Sequence, residues 1–199
     1  MTNDWVRSIS KRSCAWRALW YCAGRMEIVH TAQIDSPIGS LRVASTERGL
    51  AYLGLPFASG RGLRGWLRRC LPDARCVDGF APNRAAIAQI LEYLEGKRVI
   101  FELPLDLRGT PFQTAVWQAL LEIPYGETRS YAEIAKRVGQ PNAVRAVGAA
   151  NGANPIALVV PCHRVIASDG RLGGYGGGLR LKARLLAMES ARPSQGKLL

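Results

Sequence analysis

Acidic side chains are scarce in this chain: 15 Asp and Glu stand against 27 Lys and Arg in 199 residues, a formal charge of +12. That surplus favours a polyanionic partner such as nucleic acid or anionic lipid, with a basic surface serving solubility alone as the plain alternative. Uninterrupted apolar runs are also missing near the start. In residues 1–25, Arg7, Lys11, Arg12, Arg17 and Arg25 break every apolar stretch around Trp5, Trp16 and Trp20, so neither a signal peptide nor a membrane span fits. A loosely attached extension is expected there, an arginine-rich interfacial leader being the alternative, and Met26 is a candidate second start ahead of the regular pattern that begins at Glu27. Paired CxxC spacing is absent. The five cysteines, Cys14, Cys22, Cys70, Cys76 and Cys162, are odd in number, which points to ordinary thiols in a reducing compartment rather than a common zinc site. A chain of this length buries roughly 70% of its extended surface and needs neither disulfide nor metal to hold a core.

What is present divides into two kinds of pattern. Ile28 to Ile34 and Leu41 to Ala44 flank the turn-like Ser36-Pro37-Ile38-Gly39, and a third strand-like run follows Arg48-Gly49 through Ala51, Tyr52, Leu53 and Leu55, which reads as an antiparallel meander. Residues 58–80 are rich in Gly, Arg and Pro, with a short helix expected around Leu63 to Cys70. Pro82 opens a helix whose Ile87, Ile90, Leu91 and Leu94 share a face before Gly96 stops it. Val99, Phe101, Leu103 and Leu105 alternate as a further strand.

From Thr110 onward the pattern turns helical. Thr110-Pro111-Phe112-Gln113 is a helix start: Thr110 caps, Pro111 sits where no amide hydrogen is needed, and Gln113 reaches back. Ser130 to Glu133 repeats this capping logic ahead of Tyr131, Ile134, Ala135 and Val138, which face inward. After the break Gly139-Gln140-Pro141-Asn142, a helix over Ala143 to Ala150 turns Val144, Val147 and Gly148 to the core and Arg145 outward. Two such helices joined by four residues fit a helix-turn-helix, the second being the groove helix, although an ordinary helical hairpin gives the same pattern. Residues 107–199 carry 12 basic and 5 acidic side chains, so the basic excess leans towards this half.

One cysteine has neighbours that suggest chemistry. Leu158, Val159 and Val160 form a strand-like approach, Pro161 fixes the backbone, and Cys162-His163-Arg164-Val165 follows. A thiol near pKa 8.5 is mostly neutral at pH 7 and needs a base or a positive field to act as a nucleophile. His163 is the candidate base and Glu189, ending the helical run from Leu179, the candidate that orients its ring. An inert buried Cys beside a satisfied His fits the same residues. The Gly173 to Gly178 run is not a dinucleotide loop, because the strand before it and the acid after it in a βαβ unit are missing.

Pro161-Cys162-His163-Arg164-Val165, Asn154-Pro155, Arg145-Ala146-Val147-Gly148 and Gly173-Gly174-Tyr175-Gly176-Gly177-Gly178 together closely resemble the O6-alkylguanine-DNA alkyltransferase family over roughly residues 27–190. The resemblance implies an α+β fold: a small N-terminal domain with an antiparallel sheet and helix, then a helical DNA-binding domain containing a helix-turn-helix. The expected divisions are an extension at 1–25, domains at 26–107 and 108–190, and a tail at 191–199. It also implies irreversible repair of O6-alkylguanine, with O4-alkylthymine as a second substrate. Cys162 would accept the alkyl group, His163 would activate it through a water, Glu189 would hold His163, and Tyr131 would approach the flipped base and assist protonation of guanine. Arg145 would enter the base stack and Asn154 would brace the active-site turn. Backbone groups of Val160 and Cys162 would meet the guanine edge, Tyr175 and the following glycines would form a mobile wall, and Arg164 joins the DNA- and base-binding set.

Gly176 stands where some members have Ser, removing one side-chain hydrogen bond to guanine. Cys14 and Cys22 do not reproduce the four-cysteine zinc module fused to some relatives, and Cys162 argues against the recognition-only relatives that carry Trp at this position. A single-turnover methyltransferase is therefore expected, using no cofactor and no metal. It would act as a cytoplasmic monomer on double-stranded DNA containing alkylated guanine, with no membrane and no obligatory protein partner. The competing readings are a non-catalytic damaged-DNA-binding or signalling protein and, more distantly, a cysteine hydrolase, for which no oxyanion hole is evident.

Overall fold

A computed structural model describes residues 26–56 and 62–191. The extension at 1–25, residues 57–61 and the tail beyond Ala191 lie outside the described residues. The meander forms as read: β1 (Ile28–Ile34), β2 (Leu41–Thr46) and β3 (Gly49–Gly54) pair antiparallel, with Val43 opposite both Ala32 and Leu53. An extra residue on β3 at Ala51 shifts the register between Ala44 and Ser45, so Leu50 and Leu53, three apart, both reach the main core while Ala51 faces the other side. A fourth strand, β4 (Arg75–Asp78), pairs parallel with β1 and gives the order β3-β2-β1-β4. Between them runs α1 (Gly62–Cys70), which covers one face of the sheet with Leu63 and Trp66 against Val29, Ala44 and Ala51. On the other face α2 (Arg84–Leu94), entered through a 3-10 turn at Ala81–Asn83, buries Ala86, Ile87, Ile90, Tyr93 and Leu94.

The strand expected at Val99 to Leu105 is not a strand. Its alternation survives, with Ile100 68% exposed between partly buried Val99 and Phe101. Its backbone is satisfied by side chains instead of a ladder: Gln89 Oε1 accepts from the Glu102 amide at 2.8 Å and Gln89 Nε2 donates to the Glu102 carbonyl at 3.1 Å. Only Leu105 bridges the sheet, beside Leu50.

The helical half begins with two complete capping boxes. Thr110 Oγ1 accepts from the Gln113 amide and Gln113 Oε1 from the Thr110 amide, starting α3 (Pro111–Leu121); Ser130 and Glu133 do the same for α4 (Tyr131–Arg137). Such a cap is worth about 1 kcal/mol, enough to fix where a short helix starts. After Gly139, at φ +73°, and a tight turn, α5 (Val144–Gly152) packs against α3 and α4. Trp117 is buried between α3 and α5, its indole N–H donating to the Ala150 carbonyl at 2.8 Å. Val147 faces the core as expected, but Val144 is 37% exposed, because the first turn of α5 projects past its neighbours. Leu158 to Val160 are consecutive turns rather than a strand: Leu158 adopts φ +70°, held by full burial of its side chain. Beyond the 3-10 turn Cys162–Arg164, the short β6 (Val165–Ile166) pairs parallel with β5 (Arg129–Ser130), and α6 (Leu179–Ser190) closes the fold.

Candidate active site

Cys162 opens the 3-10 turn Cys162–Arg164 and is 5% exposed, touching a cavity of about 620 Å³. Tyr131 at the start of α4, Asn151 on α5, Asn154 after it, and Tyr175 and Gly176 of the glycine-rich loop line that cavity, as does Tyr52 of β3. The turn is braced by amides. Asn154 Nδ2 donates to the Val160 carbonyl at 2.8 Å while its Oδ1 accepts from the Ile156 amide at 3.0 Å, and Asn151 Nδ2 donates to the Cys162 carbonyl at 3.3 Å. These bonds hold the backbone that the positive φ of Leu158 redirects. Gly173, at φ +66°, lets the loop cross Tyr131; a Cβ there would come within 3.1 Å of the phenol oxygen.

Behind Cys162 lies a dry cluster centred on Glu189, itself 0% exposed. Glu189 Oε1 accepts from His163 Nε2 at 2.9 Å, Tyr93 Oη at 2.6 Å and Arg164 Nη2 at 2.9 Å; Oε2 accepts from Arg164 Nε at 2.8 Å and the Gly126 amide at 3.2 Å. Burial alone would push the Glu189 carboxyl up, but the hydrogen bonds and charges of His163 and Arg164 outweigh it and hold the group at about 2. An ionised carboxylate only accepts, so Nε2 of His163 carries the ring proton and Nδ1 keeps its lone pair. Nδ1 is buried with no hydrogen-bond partner among the described residues.

Burial pushes the His163 pKa down, against the pull of Glu189, so the ring is neutral at rest. Burial likewise pushes the Cys162 thiol up, opposed by Asn154, by the field of Lys182 and by nearby amides. The resting pair is a neutral thiol beside a neutral base. A buried neutral thiol is spared idle oxidation. Burial raises the Tyr131 phenol as well, with the Cys162 thiolate adding to the shift and Asn151 opposing it, which keeps a proton available at the cavity wall.

The structure moves two of the expected base-binding residues away from the cavity. Arg164 does not face a base or DNA: it is 7% exposed, spends Nε and Nη2 on Glu189, and donates Nη1 to the Ile123 carbonyl at 2.7 Å. A guanidinium inside a protein needs a carboxylate, and Glu189 supplies it. Val160 is fully buried and does not line the cavity; its carbonyl is already taken by Asn154 and by the Cys162 amide at 2.8 Å. Arg145 is exposed on α5, on the same helical face as Gly148 and Gly152, which do line the cavity.

Two contributors escape the sequence reading. Lys182 is fully buried and donates to the carbonyls of Val165, at 2.5 Å, Leu172 and Gly174, tying the loop beneath Tyr175 to α6. Its signal is present in the sequence, since Lys182, Leu185 and Glu189 fall on one helical stripe and a stripe with charges at both ends is no ordinary core face. Tyr93 gives no such signal: its position in α2 suits any core aromatic.

Comparison with known proteins agrees with this geometry. The family description "6-O-methylguanine DNA methyltransferase, ribonuclease-like domain" matches residues 29–107, and "6-O-methylguanine DNA methyltransferase, DNA binding domain" matches residues 111–191. The methylated-DNA–protein-cysteine methyltransferase of Mycobacterium tuberculosis strain CDC 1551 is 48% identical over 165 residues, covering 83% of this chain and 94% of that protein. The inducible enzyme of the same description from Bacillus subtilis is 46% identical over 153 residues, covering 77% and 86%. Among solved structures, Mycobacterium tuberculosis OGT in complex with DNA superposes with a TM-score of 0.71 at 45% identity, covering 84% of this chain and 96% of that one. With both family descriptions matched in order over most of its length, the chain belongs to the 6-O-methylguanine DNA methyltransferase family.

Proposed function

We infer that this protein repairs O6-alkylguanine in DNA directly, moving the alkyl group onto Sγ of Cys162 in a single irreversible turnover. The observation that carries the reading is a thiol at the wall of a cavity of about 620 Å³, roomy enough for a base, with the hydrogen-bonded His163–Glu189 pair behind it. The thiol proton passes through a bridging water to Nδ1 of His163 as sulfur attacks the alkyl carbon. The S–C bond forms while the C–O6 bond breaks, the electron pair leaves on guanine, and a proton from the Tyr131 side neutralises the departing base. The proton lost by the thiol balances the one gained by guanine once His163 and Tyr131 return to their resting states. A thioether has no hydrolysable acyl bond, so the protein is consumed.

The same reading places the duplex on the helix-turn-helix formed by α4 and α5, with Arg145 filling the gap left by the flipped nucleotide. Flipping costs a few kcal/mol, less at a damaged pair, and a flat guanidinium can stack in the gap. Asn154 braces the turn, Tyr175 and Gly176 wall the pocket, and O4-alkylthymine is a second substrate. The proposal divides the working chain at residue 107, a division supported by the two matched ranges. It takes the protein as a cytoplasmic monomer without an obligatory protein partner.

Intact-mass spectrometry after incubation with duplex DNA containing O6-methylguanine tests the reading. One added methyl, mapped to Cys162 and saturating at one per chain, is expected. Tight, damage-selective binding without any mass gain would instead make this a recognition module.

A further inference from the structure

We infer that Tyr93 is a positioning residue for alkyl transfer: a phenol from the N-terminal half that locks the His163 base by sharing one oxygen of Glu189 with it. The inference rests on the functional reading above. Tyr93 is 0% exposed on α2, and its ring packs against Phe101 at 5.2 Å and edge-on to Tyr125 at 6.3 Å between ring centroids. Its hydroxyl donates to Glu189 Oε1 at 2.6 Å and lies 3.2 Å from His163 Nε2.

The hydrogen bonds fix one arrangement. Glu189 can only accept, so the phenol proton points at Oε1 and the phenol lone pairs are left facing Nε2–H of His163. That N–H therefore lies between two acceptors, the carboxylate and the phenol. The competing tautomer, with the proton on Nδ1, would lose both and set its Nε2 lone pair against theirs. Burial, followed by the charge of Glu189, pushes the Tyr93 phenol well up, so it remains a donor throughout the working range. The charged and titratable groups facing His163 are Tyr93 from α2, Glu189 and Lys182 from α6, Arg164 and Cys162 from its own turn, and Tyr175 from the glycine-rich loop. Of these, Tyr93 alone comes from the first 107 residues. A buried hydroxyl with no other hydrogen-bonding role among the described residues is thus placed to orient the base through its carboxylate, the part a third group plays in nucleophile–base relays.

The test is Tyr93→Phe, which removes one oxygen and keeps the ring. Single-turnover methyl transfer from O6-methylguanine duplex is followed across pH, with each rate normalised to the active fraction given by total methyl uptake. Transfer about tenfold slower per active molecule is expected, the size typical of losing an orienting hydrogen bond behind a reactive ligand. Stoichiometry and DNA affinity should be unchanged. The acid limb should move to higher pH, because the carboxylate, relieved of the phenol proton, supports the imidazolium better. The chain has two histidines, so 15N NMR of the imidazoles reads His163 against His30 alone. Wild-type rates per active molecule with an unmoved His163 signal would overturn the inference, as would slowing that merely tracks a lower active fraction. Independently of any variant, an Nδ1–H tautomer for His163 in the wild-type protein would overturn it. Wild-type protein that takes up no methyl at all would defeat the functional reading instead.

Discussion

The two sides of Cys162 are built to opposite specifications. On the cavity side, Tyr131, Asn151, Asn154 and Tyr175 line open space; the Tyr175 hydroxyl and Asn151 Oδ1, buried in its wall, have no hydrogen-bond partner among the described residues and leave hydrogen-bonding capacity over. On the inner side, the two oxygens of one carboxylate take five hydrogen bonds, and no atom of Glu189 is left for solvent. The contrast separates two tasks. The side that meets a variable alkylated base stays uncommitted, and the side that must hold a base still at one nitrogen is over-determined.

The comparison can be broken most completely at its boundary. Cys162→Ala should abolish covalent methyl uptake while damaged-DNA binding in a gel-shift assay persists; uptake by the purified variant would show that the thiol is not the acceptor. On the inner side, Glu189→Ala leaves Arg164 as an unpaired buried cation and should cost about 3–5 kcal/mol of folding stability, read from urea denaturation. A loss below 1 kcal/mol would mean that water reaches the cluster. On the outer side, Arg145→Ala should slow transfer from duplex DNA about tenfold, part of the few kcal/mol that flipping requires, and leave transfer from free O6-methylguanine unchanged. Equal slowing on both substrates would place Arg145 in folding or chemistry rather than in the duplex.

The smallest effect expected is in pH dependence, and it sharpens the contrast. Because burial holds the folded His163 below its ordinary 6.5, the ring stays neutral in mildly acidic solution and the acid limb of transfer should fall below pH 6.5. The unfolded chain takes up that proton first, so stability should decline as pH drops beneath 6.5. Glu189 acts in a lower window: its folded value of about 2 against 4.5 contributes stability present above pH 4.5 and lost as pH falls towards 2. A limb centred at or above 6.5 would mean that His163 is hydrated.

Local chemistry made some of this legible in the sequence. Both capping boxes are decided within four residues, and Thr110 and Ser130 start their helices where their side chains can reach the third amide on. Cys162, His163 and Glu189 were legible as candidates because nucleophile, base and acid are few in this half, and the His163–Glu189 bond joins residues 26 apart. Pairings set by distant partners were not legible. β4 is four mostly exposed residues, Arg75 to Asp78, whose strand identity comes from β1 beside it. Residues 99–105 alternate like a strand, yet Gln89 takes the backbone groups a ladder would have used. Arg164 sits in the most recognisable motif of the chain and still points inward, because its direction is set by Glu189, 25 residues on.

The outer strand β3 carries a further consequence. A terminal strand ordinarily exposes a row of backbone groups that can recruit another chain. Here the Leu50 amide donates to the Pro104 carbonyl at 2.9 Å, the Leu50 carbonyl accepts from Asp106 at 2.8 Å, and the Leu53 amide donates to the Pro155 carbonyl at 2.8 Å. Each partner is more than fifty residues away, and the bond from Leu53 closes only when the second half has arrived. Until then the strand is an adhesive edge, and afterwards it is a seam. Aggregation of this protein should therefore be governed by the delay between completing the sheet and docking the helices, and agents that hasten docking should suppress it.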